Sequence, residues 1–241
     1  MSALLLQVVD LHTHYGASHI LHGVNLHVGP GEAVGLLGRN GMGKTTLIRS
    51  ALGLVRPTSG RVHVRGADCS AEAKALRADL IAQRGIGYVP EGRGIFPNLS
   101  VHENLLVAAR PGVDGRSEWT LERVLATFPR LAERMGHGGQ QLSGGEQQML
   151  SIGRALMTNP ELLILDEATE GLAPLIVAEI WRILADIRAT GMASLVVDRN
   201  YRAVLGHTDR CVVVEKGRVV LEGASSALAG NEGALKRHLG V

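Results

Sequence analysis

Apolar and polar positions alternate along the chain in a way that predicts strands and helices in turn, which favours an α/β fold. Residues 4–9 and 24–28 read as short strands around a turn near Gly16. Ala33–Leu37 is a short apolar run followed by glycine, and a helix is expected from about Lys44 to Leu52. Pro57, Thr58, Ser59 and Gly60 mark a turn before a strand at Arg61–Val64. Helical spacing dominates about 71–83 and 101–157, the second stretch broken by the glycines of 136–139. Leu162–Leu165 and Ser194–Val197 are continuous apolar runs, the pattern of strands buried on both faces. Between them, Ile176–Thr190 reads as an amphipathic helix. Cys211–Glu215 and Arg218–Glu222 flank Lys216 and Gly217, a hairpin signal. Without repeats or a long linker, one domain over residues 1–241 is expected, with a helical insertion at about 92–153.

Composition, charge and the distribution of apolar residues narrow this picture. Aromatics make up only 3% of the 241 residues, so the core must be built from Leu, Val, Ile and Ala. The net charge of +2 gives no footprint for a phosphate backbone, so no nucleic-acid partner is expected. The N-terminus lacks a basic segment and does not read as a secretory signal. No apolar run approaches the ~20 residues that span a bilayer, so any membrane-spanning part must belong to another chain. Cys69 and Cys211 are far apart, without metal-ligand spacing, and read as reduced thiols.

Three local patterns carry chemistry. Gly38, Arg39, Asn40, Gly41, Met42, Gly43, Lys44 and Thr45, followed by Thr46, fit the phosphate-loop pattern between a strand and a helix. Glycines let such a loop wrap tightly and aim backbone N–H groups at phosphate oxygens, where the following helix also directs its positive end. Lys44 is then expected to reach the β- and γ-phosphates, and the Thr45 hydroxyl to sit on Mg²⁺. Asp166 and Glu167 follow the run Leu162–Leu165, at the strand edge where doubly wound sheets bind ligands. Asp166 suits a Mg²⁺ ligand, directly or through water, and Glu167 a general base for the attacking water. Ser143, Gly144, Gly145, Glu146 and Gln147 open a helix, either as a simple N-cap or as a second anion site of bare amides and a hydroxyl.

In this order, the phosphate loop, Leu142–Gln148 and Leu162–Glu167 resemble the ABC ATPase family over essentially the whole chain. The resemblance implies a P-loop NTPase (RecA-like) core, an N-terminal antiparallel β subdomain and an inserted helical subdomain. It also implies ATP and Mg²⁺ as cofactors and ATP hydrolysis as the activity. In this family two ATP-binding domains sandwich the nucleotide head to tail, so Ser143, Gly144, Gly145, Glu146 and Gln147 would act in trans. Tyr15 falls where the family stacks an aromatic on adenine, and Glu170–Pro174 where a loop crosses to the partner subunit.

Finer features are similar to the smaller ATPase subunit of branched-chain amino acid importers. Tyr88, Val89, Pro90, Glu91, Gly92 and Arg93 stand at the Q-loop, with Glu91 in place of the usual Gln as a further Mg²⁺ ligand. Ile95, Phe96 and Pro97, then Val101–Leu105, and Glu170–Pro174 fit the same subgroup. The implied role is to power uptake of branched-chain or other small amino acids. The implied partners are two transmembrane permease subunits, a solute-binding protein and a second ATPase subunit, a different one being favoured over a second copy. The implied location is peripheral, on the cytoplasmic face of the plasma (inner) membrane. Urea or short amides are alternative cargoes. A soluble ABC ATPase acting on DNA or ribosomes fits less well, because sustained heptads and a second phosphate loop are missing. A nucleotide binder without turnover is disfavoured by Lys44, Asp166 and Glu167. Two positions stay open. Phe96 either faces a groove for a permease helix or packs in the core. Arg199, at the family's switch position, either contacts the γ-phosphate as a second catalytic residue or faces solvent and leaves a weaker site. Ala168 replaces the usual Pro after the acidic pair.

Overall fold

The computed structural model describes residues 3–70 and 77–240. The chain opens with β1 (Leu6–Tyr15), β2 (Ser18–Val28), β3 (Ala33–Leu37), α1 (Lys44–Ala51), β4 (Ser59–Val64), β5 (Ala67–Asp68) and α2 (Ala78–Gln83). It continues through β6 (Ile86–Val89), α3 (Val101–Leu106), α4 (Leu121–Thr127), α5 (Pro129–Ala132), α6 (Gly144–Leu156), β7 (Leu162–Asp166) and α7 (Pro174–Ala189). It closes with β8 (Ala193–Val197), α8 (Tyr201–His207), β9 (Arg210–Glu215), β10 (Arg218–Ala224), α9 (Ser225–Ala229) and α10 (Glu232–Leu239). Two compact units result, one from residues 1–84 with 193–241, the other from residues 85–192.

In the first unit β1 pairs antiparallel with β2 and β4, and β4 with β5. In a second sheet of this unit β3 lies parallel to β8 and β9, and β10 returns antiparallel to β9 across the expected hairpin. All five residues of β3 are buried, as its unbroken apolar run requires. The expected strands at 4–9 and 24–28 are parts of longer ones that meet at the Gly16 turn. The reason is a slip in register between Val8 and Leu11. The inward set Leu6 and Val8 resumes at Leu11 and Thr13, so the period of two is lost in the sequence although the strand continues. The expected helix at 71–83 is seen only as α2, residues 71–76 lying outside the described residues.

In the second unit β6 and β7 pair in parallel, and β7 is buried throughout. The helical stretch expected over 101–157 is four separate helices, with residues 107–120 irregular. Pro111, Gly112 and Gly115 lie in that irregular stretch. It is fastened by Asn159, whose Oδ1 accepts from the Trp119 amide at 2.7 Å and whose Nδ2 donates to the Arg110 carbonyl at 2.9 Å. The fully buried Phe128 and Leu131 pack the α4–α5 region, and α6 buries Met149, Leu150 and Ile152. Cys69 and Cys211 are free thiols, the second buried. Among the described residues no helix is long and apolar enough to cross a membrane.

Candidate nucleotide site

The first unit holds the phosphate loop. β3 delivers the chain to Gly38, whose φ is +150° and where a Cβ would lie 2.3 Å from the Val214 carbonyl oxygen, so only glycine passes. The loop then turns into α1, whose first turn has no side-chain cap and no acidic residue. Such a helix directs its positive end into the loop, a setting that favours an anion there. Lys44 is 6% exposed, and its Nζ donates to the Gly38 carbonyl at 2.8 Å and the Arg39 carbonyl at 3.1 Å. The β9–β10 turn braces the loop from behind. The Gly217 amide donates to the Met42 carbonyl at 3.0 Å, and the Lys216 amide reaches the Met42 sulfur at 3.2 Å. Thr45 and Thr46 lie in the first turn of α1. Arg39, Asn40 and Gly41 are exposed along the loop. Tyr15, 47% exposed, ends β1 and faces solvent. Arg199 is exposed between the buried Asp198 and Asn200, the residue that caps α8.

The second unit holds the acids. Asp166, fully buried at the end of β7, accepts from the Tyr88 hydroxyl at 3.4 Å. Glu167 has φ +51°, a left-handed conformation that costs a side-chain-bearing residue about 1–3 kcal/mol and is concentrated at functional sites. The turn it makes brings its carboxylate to Glu91 and Glu170, with one oxygen of each lying within 4.8 Å of the others. This is an oxygen-only donor set of the kind hard cations prefer. Glu91 is thus brought together with the expected base Glu167, and Glu170 joins them. Glu170 lies far from Glu91 in the chain, so only the β6–β7 pairing puts the two acids together.

The segment Ser143–Gln147 forms the N-terminus of α6. The Ser143 hydroxyl accepts from the Glu146 amide, and the Glu146 carboxylate accepts from the Ser143 amide at 2.7 Å, a reciprocal cap. Burial pushes the Glu146 carboxyl up, but the Ser143 donors and Arg134 outweigh it and hold the group below its ordinary range. Gly145 has no room for a side chain, since a Cβ would meet Ile176 at 2.7 Å.

What sequence reading missed is the tie between this helix and the segment after Glu91. Gly92, Arg93 and Gly94 all have positive φ, an arrangement that turns the Arg93 side chain onto α6. There Arg93 Nη1 donates to Gln147 Oε1 at 2.7 Å, and a Cβ on Gly144 would lie 2.9 Å from Arg93 Nη2. The Ser151 hydroxyl bonds the Arg93 carbonyl, and Arg154 Nη1 donates to the Gly94 carbonyl at 2.6 Å. The Arg154 guanidinium also lies 4.3 Å over the Phe96 ring. Phe96 itself is 45% exposed, which decides the open choice between core and surface in favour of the surface. The loop is anchored by Asn104, which is fully buried. Its Oδ1 accepts from the Phe96 amide, and its Nδ2 lies at bonding distance from the Phe96, Leu99 and Ser100 carbonyls. Asn104→Ala is expected to cost about 2–4 kcal/mol, since several buried backbone groups lose a partner at once. A urea denaturation midpoint displaced by less than the equivalent of 1 kcal/mol would show that the anchor is dispensable.

Comparison with known proteins agrees with this geometry. The model of the ABC transporter family matches residues 21–170. The chain therefore belongs to the ABC transporter ATP-binding family, and it is an ATP-hydrolysing nucleotide-binding cassette. It is 39% identical over 228 residues to the high-affinity branched-chain amino acid transport ATP-binding protein BraG of Pseudomonas aeruginosa, covering 95% of this chain and 96% of that one. It is 34% identical to the lipopolysaccharide export system ATP-binding protein LptB of Haemophilus influenzae, covering 98% and 97%. A solved ATP-binding subunit of an ABC transporter superposes with a TM-score of 0.79 at 30% identity, covering 95% of this chain and 93% of that one. A dimeric cassette in a post-hydrolysis state, bound to ADP and Pi, superposes at 0.78 with 26% identity, covering 91% and 98%.

Proposed function

We propose that this cassette powers an importer of branched-chain amino acids, through permease subunits and a solute-binding protein that are separate chains. The observation that carries the reading is the near full-length likeness to BraG, supported by the run Val89–Arg93 and by Glu170–Pro174. The 34% likeness to LptB over almost the whole chain supports a second reading, a cassette that drives export. Urea or a short amide remains the alternative cargo of the first reading.

In this account ATP binds with its phosphates on the amides of Gly38–Thr46 and its adenine on Tyr15. Lys44 leaves the Gly38 and Arg39 carbonyls for the β- and γ-phosphates. Thr45, Glu91 and Asp166 would hold Mg²⁺, which neutralises phosphate charge when bound, and their hydroxyl and carboxylate oxygens suit that hard ion. Glu167 takes the proton of the attacking water. Ser143, Gly144, Gly145, Glu146 and Gln147 act on the nucleotide of a second ATPase subunit, in our reading a different chain. We read residues 1–241 as one cassette domain, with a helical insertion at about 92–153, because α3–α6 all fall between β6 and β7. The place of work is the cytoplasmic face of the plasma membrane, where Phe96 receives a permease helix.

Arg199 is assigned to the γ-phosphate. Loss of one charge-assisted bond is worth roughly 1.5–3 kcal/mol, so Arg199→Ala is expected to slow single-turnover hydrolysis by about 10–100-fold. An unchanged rate would remove Arg199 from catalysis. The importer reading is tested by the identity of chains that copurify from membranes. Permease chains of an amino acid importer are expected, whereas lipopolysaccharide-export partners would establish the second reading.

A further inference from the structure

Four of the chain's ten histidines are gathered on the outward face of the β1–β2 hairpin, beside the β9–β10 turn whose Gly217 braces the phosphate loop. His12 stands opposite His22 and His14 opposite His19 in the strand register. Leu11, Thr13 and Leu21 point into the core, while the four imidazoles remain partly exposed. The rings form a continuous array, with centroids 5.3 Å apart for His12 and His19, 4.0 Å for His14 and His19, and 3.8 Å for His19 and His22.

The backbone is shaped around this array. At the register slip Asp10 has φ +48°, held by the Asn25 Oδ1 that accepts its amide at 3.0 Å. This turns the carboxylate to the His12 ring, with Oδ1 3.4 Å from Nε2. Gly23 leaves the space, since a Cβ there would lie 2.7 Å from Asp10 Oδ1 and 3.4 Å from His12 Nε2. The other nitrogen of His12, Nδ1, lies 3.1 Å from His19 Nε2. Two imidazoles bound to one ion at about 2.0–2.1 Å, at tetrahedral to square angles, place their nitrogens about 2.9–3.4 Å apart. A carboxylate on the far nitrogen is the usual support of a metal-binding histidine, because it fixes the ring and leaves the near nitrogen's lone pair for the ion.

We propose that the hairpin face binds one divalent transition-metal ion of the zinc, nickel, copper or cobalt class between His12 Nδ1 and His19 Nε2, with Asp10 orienting His12. Imidazole selects these ions over Mg²⁺, so the site is chemically separate from the oxygen-donor set of Glu91, Glu167 and Glu170. The ion takes the place of the ring proton that now lies between the two nitrogens, and that proton leaves to solvent. His14 stacks on His19 and bonds the Thr58 hydroxyl at 2.9 Å, which fixes its own ring.

The test is calorimetric titration of the metal-stripped full chain with Zn²⁺, without nucleotide. One site is expected whose affinity falls at least tenfold in His12→Ala and in His19→Ala. Asp10→Asn should weaken it by about tenfold through the supporting bond. His63→Ala, on β4 and outside the array, should leave it unchanged, and circular dichroism checks that each variant is folded. Zn²⁺ binding that is equally tight in the His12→Ala, His19→Ala double variant would overturn the proposal. So would its loss in Glu91→Gln with the histidines intact.

Discussion

Glu167→Gln is expected to lower ATP turnover by about 10²–10⁴-fold, the usual contribution of a positioned general base, with ATP affinity changed little. The isosteric amide keeps the shape of the side chain and the strained turn but takes no proton. The turn matters because Glu167, at φ +51°, departs from the line of β7 and so meets Glu91 and Glu170. Phosphate release measured at saturating nucleotide, beside equilibrium binding of a fluorescent ATP analogue, separates the two quantities. Equal losses in both would mean that Glu167 acts in binding.

Lys44→Ala is expected to act at the earlier step and weaken ATP binding by about 10²–10³-fold, the scale of one charged donor removed from phosphate. The buried ammonium bonds the loop's own carbonyls at Gly38 and Arg39, so it is already held next to the phosphate path. The positive end of the helix is unchanged in the variant and sustains residual binding. An ATP affinity within threefold of wild type would show that the amides alone carry the site.

How far the site was legible depended on how local its determinants are. The phosphate loop and the start of α6 are contiguous stretches, where spacing alone fixes the backbone. Gly38 must be glycine for the Val214 carbonyl, and Ser143 and Glu146 cap each other three residues apart. The run of β7 likewise announced a buried strand with Asp166 at its end. The rest is made by contacts between distant residues. Arg93 meets Gln147 only because three successive positive φ values turn the loop back onto α6, and no periodicity reports that. Asn104 reads as an ordinary polar position of a helix, yet it is the buried anchor of the Phe96 loop. The break at 107–120 is written locally in Pro111, Gly112 and Gly115, but Asn159, which fastens the stretch, lies far along the chain. The slip at Asp10 concealed the true length of β1 and, with it, the alignment of the four histidines.

The tie between Arg93 and Gln147 also gives the proposed importer a physical route of communication. Phe96 is exposed on the same loop whose Arg93 touches Gly144 and Gln147, and Arg154 clamps the loop from α6. A partner seated on Phe96 would therefore bear on the loop that is tied to the start of α6.

The central claim is that ATP hydrolysis by this chain drives amino acid uptake, and one measurement addresses it directly. Proteoliposomes containing the complete complex, with solute-binding protein on the receiving side and ATP on the cassette side, are assayed for accumulation of labelled leucine. Accumulation with the wild-type chain that stops with Glu167→Gln is the predicted result. A complex that hydrolyses ATP at full rate while accumulating no leucine, isoleucine or valine would contradict the account.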